Sequence, residues 1–119
     1  MRVFIQRTKD RFVWSWNGLA ATWRGEHSFR YWVWANLGSG GLALILPLSA
    51  AEQALIIALG VLVMAFELIN TAVEHTVDYI SEEHHPMAGK AKDAASAAVM
   101  MSACAVGAAW AVILIRMLL

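Results

Sequence analysis

Four polar side chains in the middle of the chain share a spacing that could do chemistry. Glu67, Asn70, Glu74 and Asp78 lie at offsets of +3, +7 and +11 from the first of them. On an α-helix these positions fall within roughly a third of the circumference. They make one polar stripe on a segment that is otherwise apolar. Carboxylates converging in this way suit Mg²⁺, a hard cation that takes oxygen ligands and is commonly held by one or two carboxylates plus the phosphates of a substrate. A further carboxylate could accept the proton of a hydroxyl attacking phosphorus. In such phosphoryl transfer a protein mainly positions groups and stabilises charge.

Two further clusters bear on the same chemistry. Lys90, Lys92, Asp93 and Ser96 lie at the head of the last apolar stretch, with Lys92 and Ser96 four residues apart and so on one helical face. The residues that follow are mostly small, a composition that lets membrane helices approach closely. Glu26, flanked by His27 and Arg30, stands between two apolar segments and by itself reads as a linker charge. The pair His84-His85 reads by itself as two turn histidines. The only cysteine, Cys104, reads as a small apolar helix residue, and no intrachain disulfide is possible.

The elements that must position these residues are read from hydropathy. The composition is 60% hydrophobic and 15% charged, with a net charge of zero, which argues for a membrane protein and against a nucleic-acid partner. About 20 apolar residues are needed to span a bilayer. Three stretches qualify as transmembrane helices: 29–48, 52–80 and 94–119. Residues 3–25 differ. Ile5, Phe12, Trp16, Leu19 and Trp23 fall in a narrow arc, with Arg7, Asp10 and Arg11 outside it, the pattern of an amphipathic helix lying in the membrane interface. No signal peptide is expected, because charged residues precede the first long apolar run. The sequence shows no internal repeat. The fold expected is therefore an all-α membrane protein of one domain, 1–119, with an interfacial helix and three spans.

Positive charge sets the orientation. Of nine Lys and Arg, six lie at or before Arg30 and two lie between the second and third spans. The linker between the first two spans has none. The N-terminus and the second linker are expected in the cytoplasm. The run Ala54 to Phe66 then covers about 20 Å from the outer side, which places Glu67 in the cytoplasmic third of the bilayer and Glu74 near the headgroups. There a water-soluble reagent could meet a lipid.

No G-x-x-x-x-G-K-[ST] loop and no Cys/His zinc spacing occur, so a nucleotide site here would not be a P-loop. The segment from Glu67 to Glu74 followed by Asp78 nevertheless resembles the E-x-x-N-[ST]-A-[IV]-E-x-x-x-D signature of the bacterial integral-membrane diacylglycerol kinases. The segment Gly89 to Val99 is similar to that family's A-K-D-x-x-[SA]-[AG]-A-V. Ser15-Trp16-Asn17-Gly18-Leu19 and Glu26-x-x-Phe29-Arg30 also match, so the resemblance covers nearly the whole chain.

The resemblance implies phosphorylation of a lipid hydroxyl with ATP as donor and Mg²⁺ as cofactor, by a homotrimer with composite sites at the inner face of the bacterial inner membrane. Diacylglycerol would be converted to phosphatidic acid. By matching position, Glu67 is the expected general base, and Glu26 and Glu74 the Mg²⁺ carboxylates. With them, Asn70, His85, Lys92 and Asp93 are expected on the nucleotide side. Ser96 and Arg30 are expected on the side of the lipid substrate. Tyr31-Trp32 departs from the diacylglycerol branch, where a polar residue and a glutamate usually follow Phe-Arg. The sibling undecaprenol kinases also lack that glutamate. Undecaprenol is therefore an alternative acceptor. A small proton-coupled transporter is an alternative of another class, disfavoured because the polar stripe lies toward one side of the membrane.

Overall fold

The computed structural model describes residues 1–119 and is entirely helical: α1 (Arg2–Gly25), α2 (His27–Ile45), α3 (Ala50–Ile80) and α4 (Pro86–Leu118). α3 is the centre of the arrangement. Both α2 and α4 pack along it, and they meet each other only through side chains. α1 touches α2 and α3 weakly and leads away from them, so the molecule is a slab of 54 × 47 × 23 Å.

The helix ends follow local chemistry. α3 starts with a capping box, Ser49 and Glu52 exchanging side-chain bonds with each other's backbone N–H at 3.2 Å. α2 stops at Ile45 rather than at Leu48 because Pro47 biases the residue before it away from helix, and Leu46 is extended (φ −71°, ψ 156°). It also starts two residues earlier than expected, at His27. α4 begins at Pro86, eight residues before the expected Ala94. Proline is well placed in a first helical turn, and His85 caps it, Nδ1 accepting from the Met87 N–H at 3.1 Å. Lys90, Lys92 and Asp93 therefore project from the first turns of α4.

α3 and α4 are long and apolar enough to cross a membrane. Their apolar residues are mostly uncovered: Val61, Leu62, Ile69, Met100, Met101 and Val112 are all at least half exposed. Only 10 of 119 residues are buried, and a surface so apolar is not one that water solvates well. α2 has 19 residues and carries polar Asn36 and Ser39 within its apolar length.

The tight core lies at the Ser49 end, where Ala43, Ile56 and Ile113 meet, with Leu48, Ala109 and Trp110 packed against them. Two polar links reinforce that end. Gln53 donates to the Ala43 carbonyl at 3.2 Å, and Arg116 pairs with Glu52 at 3.0 Å. Midway along α3, Gly60 lets α2 come close: a Cβ there would sit 2.8 Å from Asn36 Oδ1 and 3.5 Å from its Cβ. Asn36 is held by its own bonds to the Trp32 carbonyl (2.8 Å) and Met64 Sδ (3.5 Å). Gly60→Val is expected to cost about 1–3 kcal/mol through overpacking. The measure is thermal unfolding in detergent beside Gly107→Val, where a Cβ meets nothing within 4 Å. Equal melting temperatures would mean that Asn36 swings aside freely.

Candidate active site

Glu67 lies on the face of α3 that α2 covers, which is why this carboxylate is only 4% exposed. Its Oε2 accepts a bond from Ser28 Oγ, in the first turn of α2, at 3.4 Å. One turn further along α3, Asn70 Nδ2 donates to Glu74 Oε1 at 3.3 Å. The Asn70 Oδ1 atom is buried and has no hydrogen-bond partner. A buried acceptor without a donor is costly, so this oxygen is open to a ligand.

Glu26 is the single residue between α1 and α2, and its extended backbone (φ −117°, ψ 111°) makes the joint. Its carboxylate reaches His75 Nε2 on α3 at 3.4 Å. This ties the Glu26 carboxylate to α3 at the residue after Glu74. Carboxylates held near one another repel, and a cation among them would relieve that repulsion.

A groove of about 470 Å³ runs beside Glu67 between α2 and α4 and is lined by Trp32, Glu67, Asn70, Ser96 and Cys104, among others. Of the residues expected from sequence, Glu67, Asn70 and Ser96 thus meet in one groove. Glu74 joins them through Asn70. His85, Lys92, Asp93 and Arg30 do not line it. Lys92 Nζ pairs with Asp78 Oδ1 at 2.5 Å, tying α4 to α3 near the open end. Asp93 is exposed and unpaired, and His85 is engaged by its cap.

Arg30 is engaged with its own chain. Its Nη1 donates to the carbonyls of Trp23 (2.5 Å) and Arg24 (3.2 Å), and Nη2 meets His27 Nδ1 at 2.7 Å. A guanidinium on the last carbonyls of a helix satisfies acceptors that the helix leaves open. Arg30 therefore locks the angle at which α1 leaves α2, and with it the position of Glu26.

The donor set fits Mg²⁺. All its atoms are hard oxygens: the carboxylates of Glu26 and Glu74 and the open Oδ1 of Asn70. No three His, Cys, Asp or Glu side chains converge into a ready-made metal cage. Sequence reasoning missed Ser28, Trp32 and His75. His75 sits next to Glu74 and could have been noticed there. Ser28 lies 39 residues from its partner, and no local pattern links them.

Comparison with known proteins gives the same answer as the motifs. The family model described as prokaryotic diacylglycerol kinase matches residues 13–114. A protein of Pseudomonas aeruginosa named diacylglycerol kinase is 40% identical over 93% of this chain and 90% of its own length. The diacylglycerol kinase of Escherichia coli K12 is 38% identical over 84% of this chain and 82% of its own. A protein of Bacillus subtilis named undecaprenol kinase is 38% identical over 87% and 86%. With the family model spanning most of α1 and nearly all of α2 to α4, the chain belongs to the prokaryotic diacylglycerol kinase family.

Proposed function

We propose that this chain is an ATP-dependent lipid kinase that phosphorylates the free hydroxyl of diacylglycerol to give phosphatidic acid. One observation carries the reading: a buried carboxylate, Glu67, opens with Asn70 and Ser96 into a groove between apolar helices. At that place a lipid headgroup, rather than a soluble metabolite, is the natural neighbour. The names of the Pseudomonas and Escherichia relatives support the acceptor.

In this reading α2, α3 and α4 are three spans and α1 lies on the inner face of a bacterial cytoplasmic membrane. The many Lys and Arg before Arg30 support a cytoplasmic N-terminus. Self-association into a homotrimer is supported by the polar face of α3, which three helices cover only in part. Glu67, oriented by Ser28, takes the proton of the lipid hydroxyl. The hydroxyl oxygen bonds to the γ-phosphorus as the bond to the bridging oxygen breaks, and ADP leaves with that electron pair. Glu26, Asn70 and Glu74 would hold Mg²⁺, which when bound would offset the charge of the nucleotide phosphates. Lys92, Asp93 and His85, on α4 and its cap, serve the nucleotide. Ser96 faces the acceptor, and Arg30 serves it by fixing the joint that carries Glu26.

The test is transfer of the radiolabelled γ-phosphate from ATP in mixed micelles, with diacylglycerol and undecaprenol offered separately. Label in phosphatidic acid is the expected result. A polyprenol acceptor has two observations in its favour: the Bacillus relative's name and Tyr31-Trp32 after Arg30. Label in the polyprenyl product alone would assign that acceptor, and no label in either would remove the lipid-kinase reading.

A further inference from the structure

We infer that His75 is a positioning residue: it holds the Glu26 carboxylate against α3, at the residue after Glu74, and so keeps Glu26 where a cation can use it. The inference rests on the lipid-kinase reading, in which Glu26 and Glu74 hold Mg²⁺. It adds a residue that lies outside both the polar stripe of α3 and the motif that covers it.

Glu26 belongs to no helix. It is the single residue between α1 and α2, so its side chain goes where the joint goes. The joint is stiff on the α1–α2 side. Arg30 of α2 donates to the carbonyls of Trp23 and Arg24. Trp23 also meets Trp34 edge to face, with ring centroids 6.3 Å apart, a favourable aromatic geometry. α1 and the start of α2 thus move as one bent piece. α1 is a long arm on that piece, 24 residues or about 36 Å. A swing of the arm carries Glu26 with it unless the joint is held to α3. The polar contact that holds it is His75 Nε2, 3.4 Å from Glu26 Oε1.

The face of α3 explains why His75 is the residue that meets the joint. His75 lies four residues past Thr71 and so on the same flank of the helix, and Thr71 is buried. Asn70, one residue before Thr71, turns the other way, into the groove it shares with Ser96 of α4. The His75 side chain is itself 69% exposed, against 28% for Glu26. It adds little to the core, so its contact with Glu26 is its main link to the rest of the molecule. An imidazole Nε2 can carry a hydrogen toward a carboxylate oxygen. With Oε1 engaged in this way, Oε2 of Glu26 is left for a cation. Metal-binding carboxylates are commonly oriented by such an outer partner.

The experiment uses the full-length protein in detergent micelles. His75→Leu removes the polar contact, and His75→Gln keeps an amide nitrogen at similar reach. Binding of Mn²⁺ with a non-hydrolysable ATP analogue is followed by water proton relaxation, with no lipid and no turnover. His75→Leu is expected to raise the half-saturating concentration by about tenfold, the lower end of the 10–100-fold range for a lost outer partner, and His75→Gln to recover most of that loss. In a Glu26→Gln background, His75→Leu is expected to add nothing, because both changes act through one carboxylate. Wild-type binding by His75→Leu would overturn the inference. So would costs that add in the double variant, which would make His75 a general support of the fold. Binding by His75→Gln as weak as by His75→Leu would overturn it too, by making the imidazole itself a ligand. A wild type that gives no relaxation enhancement would overturn it together with the metal assignment. Label transfer to lipid, measured on the same samples, judges the kinase reading separately. A wild type that binds the metal complex in the expected pattern and labels no lipid removes that reading and supports the role of His75. A wild type that labels lipid while binding is indifferent to His75 does the reverse.

Discussion

Glu67→Gln lowers phosphoryl transfer to the lipid by about 10²–10⁴-fold, the range a positioned general base contributes, and leaves the chain folded. Glutamine has nearly the same shape. Its amide oxygen can still accept from Ser28 Oγ, which now bonds the carboxylate at 3.4 Å. What is lost is the ability to take a proton. Folding has no reason to suffer, because the substitution keeps the shape and the hydrogen-bond acceptor of a buried side chain. The check is label transfer from ATP, run beside thermal unfolding in the same detergent. Turnover near the wild-type rate would take the role of base away from Glu67. Loss of turnover together with a large drop in melting temperature would make it a structural residue instead.

Glu74→Gln and Glu26→Gln are each expected to raise the Mg²⁺ concentration for half-maximal activity by about tenfold or more, since changes even one shell out from a metal cost 10–100-fold in affinity. The two substitutions differ in what else they disturb. Glu74→Gln keeps an oxygen for Asn70 Nδ2, so the helix face is preserved. Glu26→Gln also weakens the contact with His75 that ties the α1–α2 joint to α3. Glu26→Gln should therefore show the larger fall in kcat once Mg²⁺ is saturating. A Mg²⁺ titration unmoved by both changes would sink the metal assignment.

The stripe from Glu67 to Asp78 was legible in the sequence because helical periodicity is local: four residues and their offsets suffice. The family resemblance was legible for the same reason, and the family match over residues 13–114 bears it out. Helix ends were less so. Pro47 and Pro86 announce where α2 stops and α4 starts, but hydropathy alone starts the last span at Ala94, since Lys90, Lys92 and Asp93 are too polar for such a scale. What periodicity cannot carry is which faces meet. Ser28 with Glu67, Ser39 with Trp110 and Asn36 over Gly60 join residues 39, 71 and 24 positions apart. Arg30 shows the opposite case. Its bonds are all local: two reach the end of α1 and one reaches His27, only a few residues upstream.

The placing of the core has a mechanical consequence. The apolar cluster of Ala43, Ile56 and Ile113, the Gln53 bond and the Arg116–Glu52 pair all lie at the Ser49 end. At the opposite end α4 is tied to α3 by Lys92 and Asp78, both only partly covered, and α1 by His75 and Glu26. Exposed ion pairs contribute about 1 kcal/mol or less, and regions with few buried contacts open most readily. α4 and α3 thus behave like the legs of a pair of tweezers, joined firmly at the Ser49 tip and more loosely at the Lys92 end. Thermal energy can part them there without loosening the joint that keeps them in register.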